Sequence, residues 1–294
     1  MDSDKQALQP LYTQGSRTWY QQSYAKLVHL IGDPQEAEAL TKRLLTHYIG
    51  YTDVGHVLDK PISISPQQAA ELQHAVHRVG KHEPLQYVLG YAEFCGRRFS
   101  VAPSVLIPRP TTAMMTMHIL SADHKDANAL IDLCTGSGCI AITLAKAFPK
   151  AAVHALDISP AALTMAKQNA ITHQTDIIFH QLDLLKAALP AGQWDIIVSN
   201  PPYVLMKEKQ EMHVRVLDYE PHEALFVPDH APLCFYRRIT SLAPTSLRKE
   251  GWLYMEINER WAHQVAGLCM QAGLKKVTIY QDFFGKDRWV AAQK

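Results

Sequence analysis

From residue 129 onward the chain alternates short apolar runs with helix-length stretches, and two of those runs carry an acid at their carboxyl ends. They are Ala129-Leu130-Ile131-Asp132-Leu133 and Ala152-Val153-His154-Ala155-Leu156-Asp157. Runs of this length fit strands buried on both faces. A helix-like stretch over 139–148 follows the first, and Ser159-Pro160 opens a helix to about residue 169 after the second. Further strands are expected at Ile177-Ile178-Phe179, at Asp195-Ile196-Ile197-Val198, and over 252–257, 277–280 and 289–292. Strands separated by helices predict an α/β fold with a parallel, doubly wound sheet, whose ligands sit at the carboxyl edge of the strands.

The chain before Gly80 has a different rhythm. Asp33-Pro34 is a cap followed by a ring with helical φ, and Ala37, Leu40, Leu44, Leu45 and Tyr48 then share one face. Ser65-Pro66-Gln67-Gln68 has capping-box spacing, with Ala69, Leu72, Val76 and Val79 as the apolar face and Gly80 as the expected stop. No strand pattern is read here. The expected organisation is a small all-α N-terminal domain over 1–83, a β-hairpin linker over 84–110 with a strand at 94–101, and a catalytic domain over 111–294. The helical domain either adds stability alone or serves as a platform for a macromolecular substrate.

Charge and cysteine usage narrow the function. The 29 Lys and Arg against 28 Asp and Glu make no field for nucleic acid or membrane, and no run of about 18 apolar residues occurs. The opening Met1-Asp2-Ser3-Asp4-Lys5 has no apolar core behind it and predicts no signal peptide. Cys95, Cys134, Cys139, Cys234 and Cys269 include no Cys-x-x-Cys pair, which points to a reducing, cytoplasmic setting without structural zinc. His74 and His77 share a helix face but have no acid or cysteine cluster beside them, so no metal is expected.

The strongest local signal is Asp132-Leu133-Cys134-Thr135-Gly136-Ser137-Gly138, between a strand and a helix. Gly136 and Gly138 allow a tight turn and close approach of a ligand to the backbone. The loop is not Gly-x-Gly-x-x-Gly and no Gly-Lys-Ser/Thr follows it, which disfavours phosphate binding. Asp157, at the end of the next strand, can accept both hydroxyls of a ribose. Asp132 can hold an ammonium group directly or through water. Asp183, followed by Leu184 after the third strand, can accept from the amine of an adenine. Each acid also reads as a helix cap, and Ser159 competes with Asp157 for that place. An amine, a ribose and an adenine together describe S-adenosylmethionine, the expected cofactor.

Asn200-Pro201-Pro202-Tyr203 ends the strand beginning at Asp195. The tetrapeptide resembles the hallmark of methyltransferases that act on planar, conjugated NH2 groups, namely glutamine amides and the amino groups of bases. An amide nitrogen is a weak nucleophile because its lone pair is delocalised into the carbonyl. A site for it needs acceptors on both N–H bonds. The Asn200 side-chain oxygen and the Pro201 carbonyl can supply them, the Pro201-Pro202 pair stiffens the carbonyl's direction, and Tyr203 can stack on the planar group. As a plain turn, the same residues would cap and end a strand.

From about Pro84 to Arg288 the chain resembles the glutamine methyltransferases of translation proteins. The resemblance is carried by Pro84-Leu85-Gln86-Tyr87, Val105-Leu106-Ile107-Pro108-Arg109-Pro110, Gly136-Ser137-Gly138-Cys139-Ile140-Ala141-Ile142 and the Asn200 tetrapeptide. It implies a Rossmann-like seven-stranded methyltransferase sheet with a reversed last hairpin, behind a helical N-terminal domain. Tyr219-Glu220-Pro221-His222-Glu223-Ala224-Leu225-Phe226, Glu256-Ile257-Asn258-Glu259 and Gly285-Lys286-Asp287-Arg288 favour the branch that methylates the Gly-Gly-Gln glutamine of peptide chain release factors. Phe94-Cys95-Gly96 and Asp132-Leu133-Cys134-Thr135 lean toward the branch modifying a large-subunit ribosomal protein. The partner expected is therefore a release factor, met by a monomer without direct nucleic-acid binding. Two other readings stand beside it, a nucleic-acid amino methyltransferase and a non-catalytic scaffold. The family usually reads Pro-Arg-Pro-Glu-Thr-Glu where this chain has Pro108-Arg109-Pro110-Thr111-Thr112-Ala113, and usually has glycine where Cys134 stands.

Overall fold

Two compact units divide between Gly90 and Tyr91 in the computed structural model, which describes residues 11–124 and 126–294. Met1-Asp2-Ser3-Asp4-Lys5 lies outside the described residues. The first unit holds β1 (Tyr12–Gly15), α1 (Ser16–Ile31), α2 (Pro34–Ile49), α3 (Asp53–Val57), β2 (Pro61–Ile64), α4 (Pro66–Gly80) and α5 (Leu85–Leu89).

The predicted helix starts hold. The Asp33 carboxylate accepts from the Gln35 and Glu36 amides at 2.9 and 3.1 Å. Ser65 and Gln68 form the capping box in both directions, at 3.1 and 2.9 Å. Leu27, Leu44, Leu45, Leu72 and Val79 fill the core between α1, α2 and α4.

Two expectations need correction. The unit is not all-α, because β1 pairs antiparallel with β2, Tyr12 opposite Ile64. Each strand is only four residues long; β1 shows no alternation, and the alternation of Ile62 and Ile64 with exposed Pro61 and Ser63 is too short to stand out. Gly80 does end α4 as expected, and it has a second role: a Cβ there would run into the Leu30 side chain, so it is the point where α1 closes on α4. The first residues of the expected hairpin linker are helical, as α5, and the hairpin begins at Tyr91.

The second unit opens with that hairpin, β3 (Tyr91–Phe94) and β4 (Arg97–Ser100), turned at Cys95-Gly96. The single strand expected over 94–101 is thus two. Then follow α6 (Pro110–Ser121), β5 (Ala129–Leu133), α7 (Cys139–Ala147), β6 (Ala152–Asp157), α8 (Pro160–Thr172), β7 (Ile177–Gln181) and β8 (Trp194–Ser199). The short β9 (Val204–Leu205), α9 (Val214–Tyr219) and β10 (Phe226–Val227) precede α10 (Cys234–Ser246), β11 (Leu247–Glu256), α11 (Ala262–Gln271), β12 (Lys275–Gln281) and β13 (Asp287–Gln293).

Seven strands pair in the order β12-β13-β11-β8-β5-β6-β7, and β13 alone runs against the direction of the other six. Alternation along the strands divides the core between the two faces. Ile131, Leu133 and Ile197 pack with Tyr236, Ile239 and Val265. Leu130, Ile196 and Val198 pack with Met115, Ile119 and Ile142 on the other face. The register sets Leu133 beside both Leu156 and Ser199, so β5, β6 and β8 end together. Asp157 and Asn200 therefore flank the turn that leaves β5.

Replacing Ser65 with Ala removes an acceptor for the Gln68 amide at the start of α4. Urea denaturation is expected to show a loss of about 1 kcal/mol for the helical unit, with Ser65→Asp close to wild type.

Candidate active site

The turn leaving β5 is held by backbone amides. Thr135 donates to the Leu156 carbonyl at 2.9 Å, and Gly136 donates to Asp157 Oδ2 at 2.9 Å. Cys134, Gly136 and Gly138 all have left-handed backbones, with φ of 62°, 54° and 79°. Glycine adopts this region freely, whereas Cys134 pays about 1–2 kcal/mol for it. The missing family glycine thus appears as a strained residue at the first bend of the loop. The protein packed around the Cys134 thiol, with the Asp157 and Asp132 charges, pushes its pKa well up, so the thiol stays protonated.

A cavity of about 260 Å³ lies where β5, β6 and β8 end. Of the residues expected to hold the cofactor, Cys134, Thr135, Gly136, Ser137, Asp157, Asp183, Leu184 and Asn200 line it, as does Pro202. Val105, Leu106 and Phe235 add apolar wall. Asp157 accepts from Gly136 through Oδ2 and from the Ser159 amide through Oδ1 at 3.0 Å. Ser159 takes the cap of α8, accepting from the Ala162 amide at 3.3 Å, which decides their competition. Burial raises the Asp157 pKa against the pull of those amides. Asp183 accepts from the Leu185 amide at 3.0 Å and pairs with Lys186 at 2.9 Å, which holds its carboxyl below the usual range.

Four expected site residues lie off the cavity wall. Asp132 is 1% exposed and sits behind the loop, where Oδ2 accepts from Thr135 Oγ1 at 2.7 Å and from the Ala141 amide at 3.2 Å. Its Oδ1 has no partner, and burial pushes its pKa up to about 7. Gly138 is a packing residue, since a Cβ there would meet Ala166 at 3.1 Å and Ile142 at 3.2 Å. Pro201 is buried at the bend. Tyr203, expected as a stacking face, turns its hydroxyl to Glu256 Oε1 at 3.2 Å.

Behind Asn200 stands a network that the sequence reading did not assemble. Asn200 Nδ2 donates to Thr112 Oγ1 at 3.1 Å, and Thr112 Oγ1 donates to Glu256 Oε2 at 2.5 Å. Thr111, one of the two positions where a family carboxylate is missing, donates to Glu256 Oε1 at 3.2 Å. Glu256 is 1% exposed at the end of β11, and burial raises its pKa while the hydroxyls and Arg109 lower it. Arg109 pairs with buried Glu220 at 2.7 Å, and Glu220 also accepts from the Ile107 amide at 3.1 Å. That clamp fixes the 105–109 segment of the wall. An apolar run ending in an acid had exposed Asp132 and Asp157. Trp252-Leu253-Tyr254-Met255-Glu256 carries the same signal.

A carboxamide at a cavity wall beside a glycine-rich loop and two carboxylates suits a nucleoside ligand and a planar nitrogen together. Among the described residues, no group of three His, Cys, Asp or Glu is placed to hold a metal ion.

Residues 110–222 match the family described as methyltransferase small domain, and residues 21–90 match the PrmC N-terminal domain. A release factor glutamine methyltransferase of Bacteroides thetaiotaomicron is 43% identical over 262 residues, covering 89% of this chain and 94% of that protein. That of Flavobacterium psychrophilum is 37% identical over 275 residues, covering 92% and 96%. Among solved structures, a methyltransferase from Pyrococcus furiosus shares the fold with a TM-score of 0.50 at 15% identity, over 78% of this chain and 98% of its own.

Asp132 gives the free protein a pH signature. An unfolded aspartate has released its proton by about pH 4, whereas buried Asp132 keeps its proton up to about pH 7. Between those values the folded state binds more protons than the unfolded one, so this group makes stability fall as pH rises through that window. Asp132→Asn lacks that slope. Between pH 4 and pH 8 the wild type should lose on the order of 2–4 kcal/mol relative to the variant in urea denaturation. Parallel profiles for the two proteins would mean that Asp132 is ionised throughout.

Proposed function

Because the chain belongs to the family of release factor glutamine methyltransferases, we propose that it transfers a methyl group from S-adenosylmethionine to the glutamine amide nitrogen in the Gly-Gly-Gln loop of peptide chain release factors. The observation that carries this reading is the Asn200 carboxamide on the wall of the cavity that Asp157 and the 134–137 loop also line.

The residues present fit the cofactor. Asp157 accepts two backbone amides, and Asp183 accepts one and pairs with Lys186; with both at the wall, the remaining lone pairs of Asp157 would accept the ribose hydroxyls and those of Asp183 the adenine amine. Apolar Leu184 lies beside Asp183 for the base. Asp132 acts from behind, holding Thr135 and the start of α7. When bound, S-adenosylmethionine supplies a methyl group activated by its sulfonium.

The chain's own residues prepare the acceptor. Asn200 Oδ1 takes one N–H of the glutamine amide and the carbonyl of Pro201, whose side chain is buried at the bend beside the wall, would take the other, which fixes the amide plane and shifts electron density onto nitrogen. Pro202 stiffens the bend that aims the carbonyl. No base is required before transfer, since the amide proton can leave to water afterwards.

Among the described residues no helix is long and apolar enough to cross a membrane. A modifier of translation factors works in the cytoplasm. The N-terminal unit, the region matched as PrmC N-terminal domain, is the platform for the protein substrate in this reading.

Methyl transfer from labelled cofactor to a release factor, a large-subunit ribosomal protein and RNA, run side by side, tests the substrate. Label is expected on the release-factor glutamine alone, and label on either of the others instead would replace this reading. Asp157→Ala should weaken S-adenosylmethionine binding in calorimetry by about 1.5–3 kcal/mol. Asn200→Ala should slow single-turnover transfer by roughly 30- to 1,000-fold. A wild-type transfer rate in that variant would reduce Asn200 to a turn residue.

A further inference from the structure

A carboxamide has two faces with opposite chemistry. Half a turn about its terminal bond exchanges an acceptor oxygen for a donor NH2 with almost no change of shape. An acceptor for a substrate N–H is therefore useful only if something decides which way it points. Resting on the amide methyl-transfer reading, we propose that Thr112 and Glu256 are positioning residues that lock the Asn200 side chain with its oxygen toward the cavity.

The lock follows from counting protons. Glu256, as a carboxylate, only accepts. Three hydroxyls surround it: Thr112 on Oε2 at 2.5 Å, and Thr111 and Tyr203 on Oε1, each at 3.2 Å. Thr112 has a single O–H, and Glu256 takes it. Toward Asn200 it can offer only a lone pair. Asn200 must answer with an N–H, and its Nδ2 lies 3.1 Å from Thr112 Oγ1. Its Oδ1 then diverges to the other side, and no donor among the described residues reaches it. A reversed carboxamide would set Oδ1 against the Thr112 lone pair and turn an NH2 toward the substrate's NH2. Both contacts would be lost at once.

The frame that carries the lock is stiff. Thr111 and Thr112 sit in the first turn of α6, which begins at Pro110 directly after the Arg109–Glu220 pair. Glu256 closes β11, which pairs on one side with β8, the strand leading into Asn200. Donor and acceptor thus come from two elements that the core holds in fixed relation. Burial raises the Glu256 pKa and is the largest effect; the three hydroxyls and then the Arg109 charge act against it, in favour of the ionised carboxylate that the lock requires.

A hydroxyl that merely satisfied a buried acid would stabilise the fold without touching the reaction. A methylation assay on a release factor separates the two roles. Thr112→Val, close in shape but without the proton relay, should lower kcat by about 10- to 100-fold with KM and cofactor affinity within about threefold. Thr112→Ser should recover to within about threefold of wild type. In an Asn200→Ala background, Thr112→Val should cost less than about threefold more, because the two act through one group. A wild-type kcat for Thr112→Val, or the same fold-loss in both backgrounds, overturns the proposal. Should Thr112→Val fail to fold, Glu256→Gln serves. It cannot accept from all three hydroxyls, and it should lower kcat by more than about tenfold with cofactor binding kept. An unchanged kcat there is equally fatal.

The lock also has a readout that needs no substrate. By NMR of the free protein, the Asn200 side-chain NH2 should exchange with solvent more than about tenfold faster in Thr112→Val than in wild type. Equal exchange overturns the lock even if the enzyme methylates release factors. Slowed exchange in a protein that methylates none leaves the lock standing and removes the substrate reading instead.

Discussion

A carboxylate taken out of water must be given donors, and this constraint shapes the carboxyl edge of the sheet. Asp132, Asp157 and Glu256 end or nearly end strands β5, β6 and β11. Two of them, Asp132 and Glu256, are about 1% exposed. Left unpaired, each would cost several kcal/mol. What pairs them is the backbone and hydroxyl groups of the neighbouring loops, so satisfying the acids also fixes the loops. Gly136 is held by Asp157, Thr135 and the start of α7 by Asp132, and the first turn of α6 by Glu256. The cavity wall is the outer surface of that arrangement. Groups fixed in this way by their own partners are the kind of preorganisation that favours transition states over ground states.

The acids differ in what remains after they are paired. Asp157 reaches the cavity wall with lone pairs to spare. Asp132 keeps one unpartnered oxygen in the interior, and so keeps its proton to higher pH. Glu256 is fully engaged by hydroxyls and passes its influence to Asn200 through one of them. The three residue roles follow from burial and partner type, although the sequence presents all three as the same signal.

That difference marks how far the sequence could be read. Apolar runs closed by acids gave β5 and β6 as neighbours, because the period and the length are local properties. The caps at Asp33 and Ser65 are likewise decided within four residues. β1 and β2 escaped because their pairing joins segments some fifty residues apart, Thr13 to Ser63 through hydroxyls 2.8 Å apart, and each is only four residues long. The hydroxyl shell of Glu256 escaped for the same reason on a larger scale, since Thr111 and Thr112 lie 145 and 144 residues from it. Gly138 was read as a ligand contact because a Gly-rich turn looks alike from either side. Only the packing against Ala166 shows that its missing Cβ serves the α7–α8 contact. The departure from family pattern at Thr111 looked like a lost carboxylate. In the folded chain it adds a neutral donor to a buried charge that an acid in the same place would have opposed.

A shell made of hydroxyls has one more property. The charge on Glu256 is met at close range by dipoles, and its nearest partners carry no mobile counterions of their own. Dissolved ions act on charges they can approach, over a Debye length of about 8–10 Å, and they cannot enter this shell. Exposed pairs such as Lys286–Glu259 and Lys42–Glu38 lie open to that screening. The orientation of Asn200 is therefore insulated from the ionic strength of the cell, while any electrostatic contribution to docking of a large partner remains subject to it. Salt can alter how often the substrate arrives without altering how the amide is held once it is there.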